Sequence, residues 1–483
     1  SWEQLAAALQ PLGAAPVRPR LRSANLRAAA GQPLSTTPSD EMRGRRLIAT
    51  NGGMGSGKTI WGRNAVSPYL AAGVPVVGPT HRTALGESQA KDMGIPWAPM
   101  PGTDERLQGL GLCWDSLRPS SALSIRPAHL LGADGLGPVV VLDEVAQGIE
   151  HVLFGTGTAV AQHRPETMAT AAELLKSARL TLAMDAQLSE PVLALLEALT
   201  GERAYLIGSD HRPMAGRPVR VPQGLTARTA AEQGRGRVLD LARLVRRHWP
   251  DARVLVVDSE APEAAEQLGS DPNGTAAAFD WIICSPSITS GLSIDAPGLF
   301  AEVVVLGAGG RLPCEHLAQA AARVRDPACP VSIYAPAVAP QLRIGSGDTD
   351  PGALFRHLAS CEARLLADLV APSGWNPAAM NESPWLRCWL ELAAIRNRQS
   401  HAYASTIAAL LQHEGWEVTA APRTQPTQIE GALMAAATAE LQEIADAAQA
   451  AEDDAVIAAE PITTSEAAEL AKRRRLNPAD RAK

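Results

Sequence analysis

The chain has 483 residues, of which 20% are charged and only 4% aromatic, and it carries a net charge of −7. That length accommodates about three domains with cores of their own, and the acidic balance excludes a global basic field for nucleic acid, so any such surface must be local. Six cysteines stand singly at positions 113, 284, 314, 329, 361 and 388, with no C-x-x-C pair or histidine cluster to suggest zinc or a disulfide framework.

Residues 1–45 hold one expected helix, Trp2 to Leu12, and an Arg- and Pro-containing linker. The apolar run Leu47-Ile48-Ala49-Thr50 then leads into Gly52-Gly53-Met54-Gly55-Ser56-Gly57-Lys58-Thr59, a complete G-x-x-x-x-G-K-[ST] phosphate loop between an expected strand and helix. Its glycines let backbone N–H groups turn inward around phosphate oxygens. Lys58 is placed to reach the β- and γ-phosphates and Thr59 to offer its hydroxyl to Mg²⁺. A nucleoside triphosphate site is expected. The following helix runs toward Gly73, with Pro68 kinking or ending it. Further strands are expected at Val74–Gly78, before Pro79-Thr80-His81-Arg82, and at Leu110–Trp114, before Asp115-Ser116-Leu117.

Pro138-Val139-Val140-Val141-Leu142 reads as a strand buried on both faces of a parallel sheet. It ends in Asp143-Glu144, two carboxylates where α/β sheets place ligands. In a nucleotide-hydrolysing site the first holds Mg²⁺ and the second accepts the proton of the attacking water. Gln147 follows at a spacing of three. Leu180–Met184, ending before Asp185-Ala186, and Ala204–Ile207 complete one doubly wound domain.

Residues 209–252 read as a linker into a second domain. Between 211 and 248 nine arginines face only Glu232 and Asp240, a solvated surface or a nucleic-acid surface that the residues alone do not separate. A second α/β series follows at Arg253–Val257, Trp281–Ser285, Val303–Leu306 and Val331–Tyr334, without a second phosphate loop. Its expected helix around Gln319 to Arg325 puts Gln319 and Arg323 on one face, both able to point at a γ-phosphate across an interface. Apolar residues at helical spacing (Leu354, Leu358, Leu365, Leu369, then Trp385, Trp389, Leu392) predict a helical C-terminal module packed on the second domain. Gly431–Glu460 is a long helix or a tether. Lys472-Arg473-Arg474-Arg475 is a nucleic-acid contact or a solvated tail.

The order of these segments resembles superfamily 2 helicases: Gly52–Thr59, Pro79–Leu85, Asp143–Gln147, Met184–Ala186, Ile283–Ile294 and Gln319–Arg325. More narrowly, Thr80-His81-Arg82, Cys113–Leu117, Ser285–Ile294 and Arg323-Val324-Arg325 resemble cyanobacterial plasmid replication proteins and, more distantly, herpesvirus origin-binding helicases. The resemblance implies an α/β fold of two tandem RecA-like domains with parallel sheets, at 46–210 and 211–345, then helical accessory residues 346–430 and a tail 431–483. It further implies ATP and Mg²⁺ at Gly52–Thr59 and Asp143, with Glu144 as base and Gln147, Gln319, Arg323 and Arg325 as catalytic partners. DNA contacts are implied at His81, Arg82, Ser116, Ser287 and Ser290.

The chain departs from the pattern in places. Gln147 stands where His or Asp is usual, Asp185-Ala186 replaces Ser-Ala-Thr, and Gly291-Leu292-Ser293 replaces Gly-x-Asp. Asp326 occupies the place of the second arginine, so either Arg325 serves by a local shift or Arg323 works alone. The implied activity is an ATP-dependent DNA helicase or translocase of plasmid or phage-type replication, acting on single-stranded or forked DNA. The alternative is an ATP-gated initiator that clamps an origin. Larger members carry a primase-like domain upstream, which fits a chain beginning at Ser1 rather than methionine. No apolar run approaches about 18 residues and no signal peptide opens the chain, so a cytoplasmic protein without membrane contact is expected.

Overall fold

The computed structural model describes residues 14–17, 21–29, 31–36, 44–97, 109–121, 123, 127–222, 236–258, 261–285, 292–307, 312–373, 383–421, 428–459, 462, 463 and 466. The expected helix at Trp2–Leu12, Ser287, Ser290 and the basic run at 472–475 lie outside them.

Seven parallel strands form the first sheet: β1 (Leu26–Arg27), β2 (Leu47–Gly52), β3 (Val76–Thr80), β4 (Gly109–Cys113), β5 (Val139–Asp143), β6 (Leu180–Asp185) and β7 (Tyr205–Ser209), in the order β1-β7-β2-β6-β5-β3-β4. Helices on both faces cover it, so β3, β5 and β6 are buried along their whole length. Register brings three carboxyl ends together: Asn51 pairs with Asp185, and Asp143 with Met184. The phosphate loop and two acidic strand ends therefore share one crevice.

Two local expectations shift. The strand expected from Val74 begins at Val76 and carries Pro79, which is tolerated because β3 pairs with β5 only at Val76 and Val77 and with β4 beyond. The helix Lys58–Ala71 continues through Pro68; Pro68 and Asn64, whose carbonyl loses its partner, both lie on the exposed side.

The second domain has two parallel sheets. One pairs β9 (Val254–Val257) with β10 (Trp281–Cys284). The other runs β11-β12-β8-β13, from β8 (Pro218–Pro222), β11 (Val303–Leu306), β12 (Val331–Tyr334) and β13 (Glu417–Ala421). Part of the expected linker is thus a central strand, short and bounded by prolines, whose Val219 and Val221 point into the core. Strand β13 and the helix Tyr403–His413 also complete this domain, the helix packing on Cys314–Ala321.

The helices Pro351–Cys361, Ala363–Val370 and Pro384–His401 correct another expectation: they dock on the first domain, not the second. Leu354, Leu358, Trp385, Trp389 and Leu392 share a core with Val192, Leu196 and Leu199 of the helix Glu190–Thr200. Apolar periodicity announces a buried face without naming its partner. The segment left open as helix or tether is a helix, Gln428–Ala458, lying along Gly236–His248 with Arg247 Nε 3.4 Å and His248 Nε2 3.1 Å from Glu440. Among the described residues no helix is long and apolar enough to cross a membrane.

Candidate nucleotide site

The phosphate loop joins β2 to the helix Lys58–Ala71, and its turn needs glycine at Gly55 (φ 76°) and Gly57 (φ 83°), where a Cβ would be strained. Ser56 is fully buried at the turn with a hydroxyl that has no partner, and such a group fits a phosphate oxygen. Lys58 Nζ donates to the carbonyls of Gly52 at 2.6 Å and Gly53 at 2.9 Å. Burial lowers the Lys58 pKa, against the upward pull of Asp143, Asp185, Glu414 and Glu144. It is a buried cation within a basin of carboxylates.

Thr59 Oγ1 donates to Asp143 Oδ2 at 3.1 Å, and Gln89 Nε2 donates to the same oxygen at 3.0 Å. A hydroxyl and a carboxylate converging in this way suit Mg²⁺, which prefers oxygen ligands and takes few from protein, the rest coming from water and phosphate. Burial raises the Asp143 pKa although Lys58 and the hydrogen bonds oppose it.

Glu144 follows Asp143 with φ 51°, the left-handed region, and is the sole non-glycine there among the described residues. Two carboxylates hold this turn: Asp143 Oδ1 accepts the Glu144 N–H at 3.0 Å, and Asp185 Oδ2 accepts the Ala146 N–H at 2.8 Å. Asp185 also accepts the Gln187 N–H at 2.7 Å. Asp185 at the end of β6 thus braces the helix Val145–Phe154. Burial first, then Asp143 and Asp185, push the Glu144 pKa up to about 7, against the pull of Arg323 and Arg82.

The second domain closes the crevice. Arg323 Nη2 lies 3.7 Å from Glu144 Oε1, and Gln147 Nε2 donates to Gln319 Oε1 at 2.5 Å. The helix expected through Arg325 stops at Ala321, so Arg323 does not share a helix face with Gln319; it is fixed in the following turn, where Nη1 donates to Leu292 O at 3.1 Å and Val324 bridges Ile294. Arg325 turns away, half-exposed and 3.5 Å from Asp295. Asp326 is structural, accepting the N–H groups of Gly298 at 2.8 Å and Ala328 at 2.9 Å, which hold its pKa below the usual carboxylate range. Of the two candidate arginines of the second domain, Arg323 alone reaches Glu144.

Of the residues expected on DNA, His81, Arg82 and Ser116 lie within the described residues. Arg82 lies near enough to Glu144 for each to shift the other's ionisation. The His81 ring is buried at the domain interface, its pKa lowered to about 3 by burial and by Arg82 and His316. Gln147 pulls that value back slightly, yet neither ring nitrogen makes a direct hydrogen bond. Ser116 sits in the short helical turn Trp114–Leu117, where its carbonyl accepts Ser121 Oγ at 2.7 Å.

Three residues at or near the site carry no sequence signal. Gln89 holds Asp143. Arg217, fully buried, donates to the carbonyls of Cys329 at 2.8 Å, Val324 at 2.6 Å and Ala321 at 3.4 Å, fixing the turn that bears Arg323. Glu414 accepts the Met54 N–H at 3.0 Å. Each acts through a contact distant in sequence that no local pattern announces.

Fold and site together define a protein of two tandem RecA-like α/β domains, with a phosphate loop in the cleft between them and a helical C-terminal region. No family model matches the chain. An uncharacterised protein of Picosynechococcus sp. is 25% identical over 414 residues, covering 77% of this chain and 40% of that protein, so the chain spans well under half the length of this relative. Among solved structures, S. cerevisiae Dbp5 bound to RNA and ADP BeF3 is similar with a TM-score of 0.41 at 10% identity, over 67% of this chain and 84% of that one. The DUF1998 helicase MrfA bound to DNA gives 0.44 at 13% identity, over 66% and 49%. The same helicase with DNA and AMPPNP gives 0.41 at 14% identity, over 77% and 60%. At these scores no residue role passes from one chain to another.

Proposed function

We propose that the chain is an ATP-dependent DNA helicase or translocase working in plasmid or phage-type replication. The observation that carries this is Arg323 of the second domain reaching Glu144 of the first, at 3.7 Å, beside the phosphate loop. A site split in this way works only when two domains meet, so hydrolysis and domain movement are coupled. The DNA substrate and the replication setting rest on the resemblance carried by Thr80–Arg82, Cys113–Leu117, Ser285–Ile294 and Arg323–Arg325.

In this reading the loop N–H groups and Lys58 hold the β- and γ-phosphates, and Thr59 and Asp143 would hold Mg²⁺, which would supply charge neutralisation. Glu144 accepts a proton from water as the water oxygen bonds to the γ-phosphorus and the bridging P–O bond breaks, leaving ADP and phosphate. Arg323 stabilises the charge spreading over the transferring group, with Gln319 and Gln147 positioning the two helices around it. Alternating closure and opening then shifts the grip on a single strand, held mainly through its backbone.

Strand displacement on forked DNA, tested with each tail polarity, decides between motor and clamp. The account expects ATP-dependent unwinding of one polarity that Lys58→Ala abolishes. Tight ATP-dependent binding to duplex DNA with no displacement on either fork would favour the origin-binding initiator.

A further inference from the structure

Glu414 belongs to none of the motifs, follows the helix Tyr403–His413 of the second domain, and is only 4% exposed. Its Oε2 accepts the Met54 N–H of the phosphate loop at 3.0 Å. The fit is close: a Cβ on Gly53 would stand 2.1 Å from that oxygen. At the tip of the loop a Cβ on Gly55 would meet Pro213 Cγ at 2.9 Å, and the Met54 side chain packs on the second domain's core. Two strips of chain therefore cover the mouth of the loop, one around Arg212–Pro213 and one around His413–Glu414.

The strips are tied together. Gly216 N–H donates to Gly415 O at 2.8 Å, Glu417 N–H to Arg217 O at 2.9 Å, and Arg212 Nε reaches His413 O at 3.4 Å. The first strip is the connection that leaves β7 at Ser209 and enters β8 at Pro218, the hinge between the domains.

A carboxylate that accepts a main-chain N–H of this loop occupies the role of a phosphate oxygen. Two anions cannot share the donor, because in a buried site their repulsion is large. We propose that Glu414 is a built-in competitor for the phosphate loop. The nucleotide's phosphates displace it, and its departure frees the 413–416 strip and the hinge, so that nucleotide binding is transmitted to the second domain. This rests on reading Gly52–Thr59 as a nucleotide site. Glu414 is a positioning residue: it acts through the loop and the hinge and touches no reacting atom. Its effect falls on ligands with a β-phosphate, since adenosine brings no rival anion.

The test is calorimetric titration of the full chain with ADP and with adenosine, for wild type, Glu414→Gln and Glu414→Ala, with thermal melting as the folding control. Gln keeps an acceptor and the shape while losing the charge. The proposal expects Glu414→Gln to bind ADP roughly tenfold tighter, the factor gained when a competing arrangement populated about 90% of the time is removed, with adenosine affinity unchanged. Amide hydrogen exchange of the segments 209–217 and 413–416 should accelerate with ADP in the wild type and be fast without ADP in Glu414→Ala. Equal or weaker ADP binding by a Gln variant that melts like wild type would overturn the proposal and leave Glu414 a structural cap. Failure of all three proteins to bind ADP would overturn the reading of the site itself, and the competitor with it.

Discussion

Glu144 combines a left-handed backbone, φ 51°, with a carboxyl whose pKa is pushed up to about 7 by burial and by Asp143 and Asp185. A non-glycine residue in that region costs about 1–3 kcal/mol and persists where neighbours over-determine it, here the two carboxylates that hold its turn. As a base it must be ionised, so kcat/KM for ATP should rise with pH through about 7. Arg323 lowers that pKa. Arg323→Ala should therefore move the rising limb to higher pH, and it should lower kcat by about 10³-fold as an arginine finger is lost. A pH–rate profile of both proteins checks this; limbs at the same pH would show that the two groups do not interact. Arg217 makes a second prediction at this scale. Arg217→Leu strips three buried carbonyls of their donor and should cost about 3 kcal/mol in urea unfolding. An unchanged midpoint would show that water replaces the guanidinium.

Between elements, the helix Val145–Phe154 meets the helix Cys314–Ala321 through Gln147–Gln319, with His81 and His316 buried alongside. Both histidine pKa values lie near 3, lowered first by burial; Glu150 stands 3.6 Å from His316 but is claimed by Arg396. The unfolded chain takes up these protons near pH 6.5, the folded chain not until about 3. Stability from this interface is therefore full above about 6.5 and lost as pH falls toward 3. Denaturant midpoints at about pH 7 and pH 5 should differ less in His81→Gln than in wild type, and an identical difference would exclude His81. Much of this scale was legible in the sequence. The apolar runs of β2, β5 and β6 end in Gly52, Asp143 and Asp185, and motif spacing singled out Lys58, Thr59, Glu144, Gln147, Gln319 and Arg323, which the fold brings to one cleft. Strands β8 and β13 were not legible, because five-residue strands rich in Pro, Arg or Ala lack a period long enough to stand out. Glu414, Arg217 and Gln89 were not legible either, since their partners lie far along the chain.

At the scale of the whole molecule, the C-terminal region serves both domains: the helices from Pro351 to His401 share the first domain's core, while Tyr403–Ala421 completes the second. Trp389, 1% exposed, packs 5.9 Å from Phe154 between ring centroids. Trp389→Ala should cost about 3–5 kcal/mol and lower the melting of the first domain with it. A new low-temperature transition beside an unshifted one would show that the helices unfold alone. In the proposed reading, the net charge of −7 leaves DNA binding to local groups and makes the grip depend on how the domains move. The central claim is that Mg-ATP hydrolysis at the split site drives that movement on DNA. The most direct measurement is steady-state ATP hydrolysis with and without single-stranded DNA, for wild type and Glu144→Gln. The account predicts strong stimulation by DNA in the wild type, and its loss in the variant with ATP binding retained. Hydrolysis that no nucleic acid stimulates, or stimulation that survives Glu144→Gln, would contradict it.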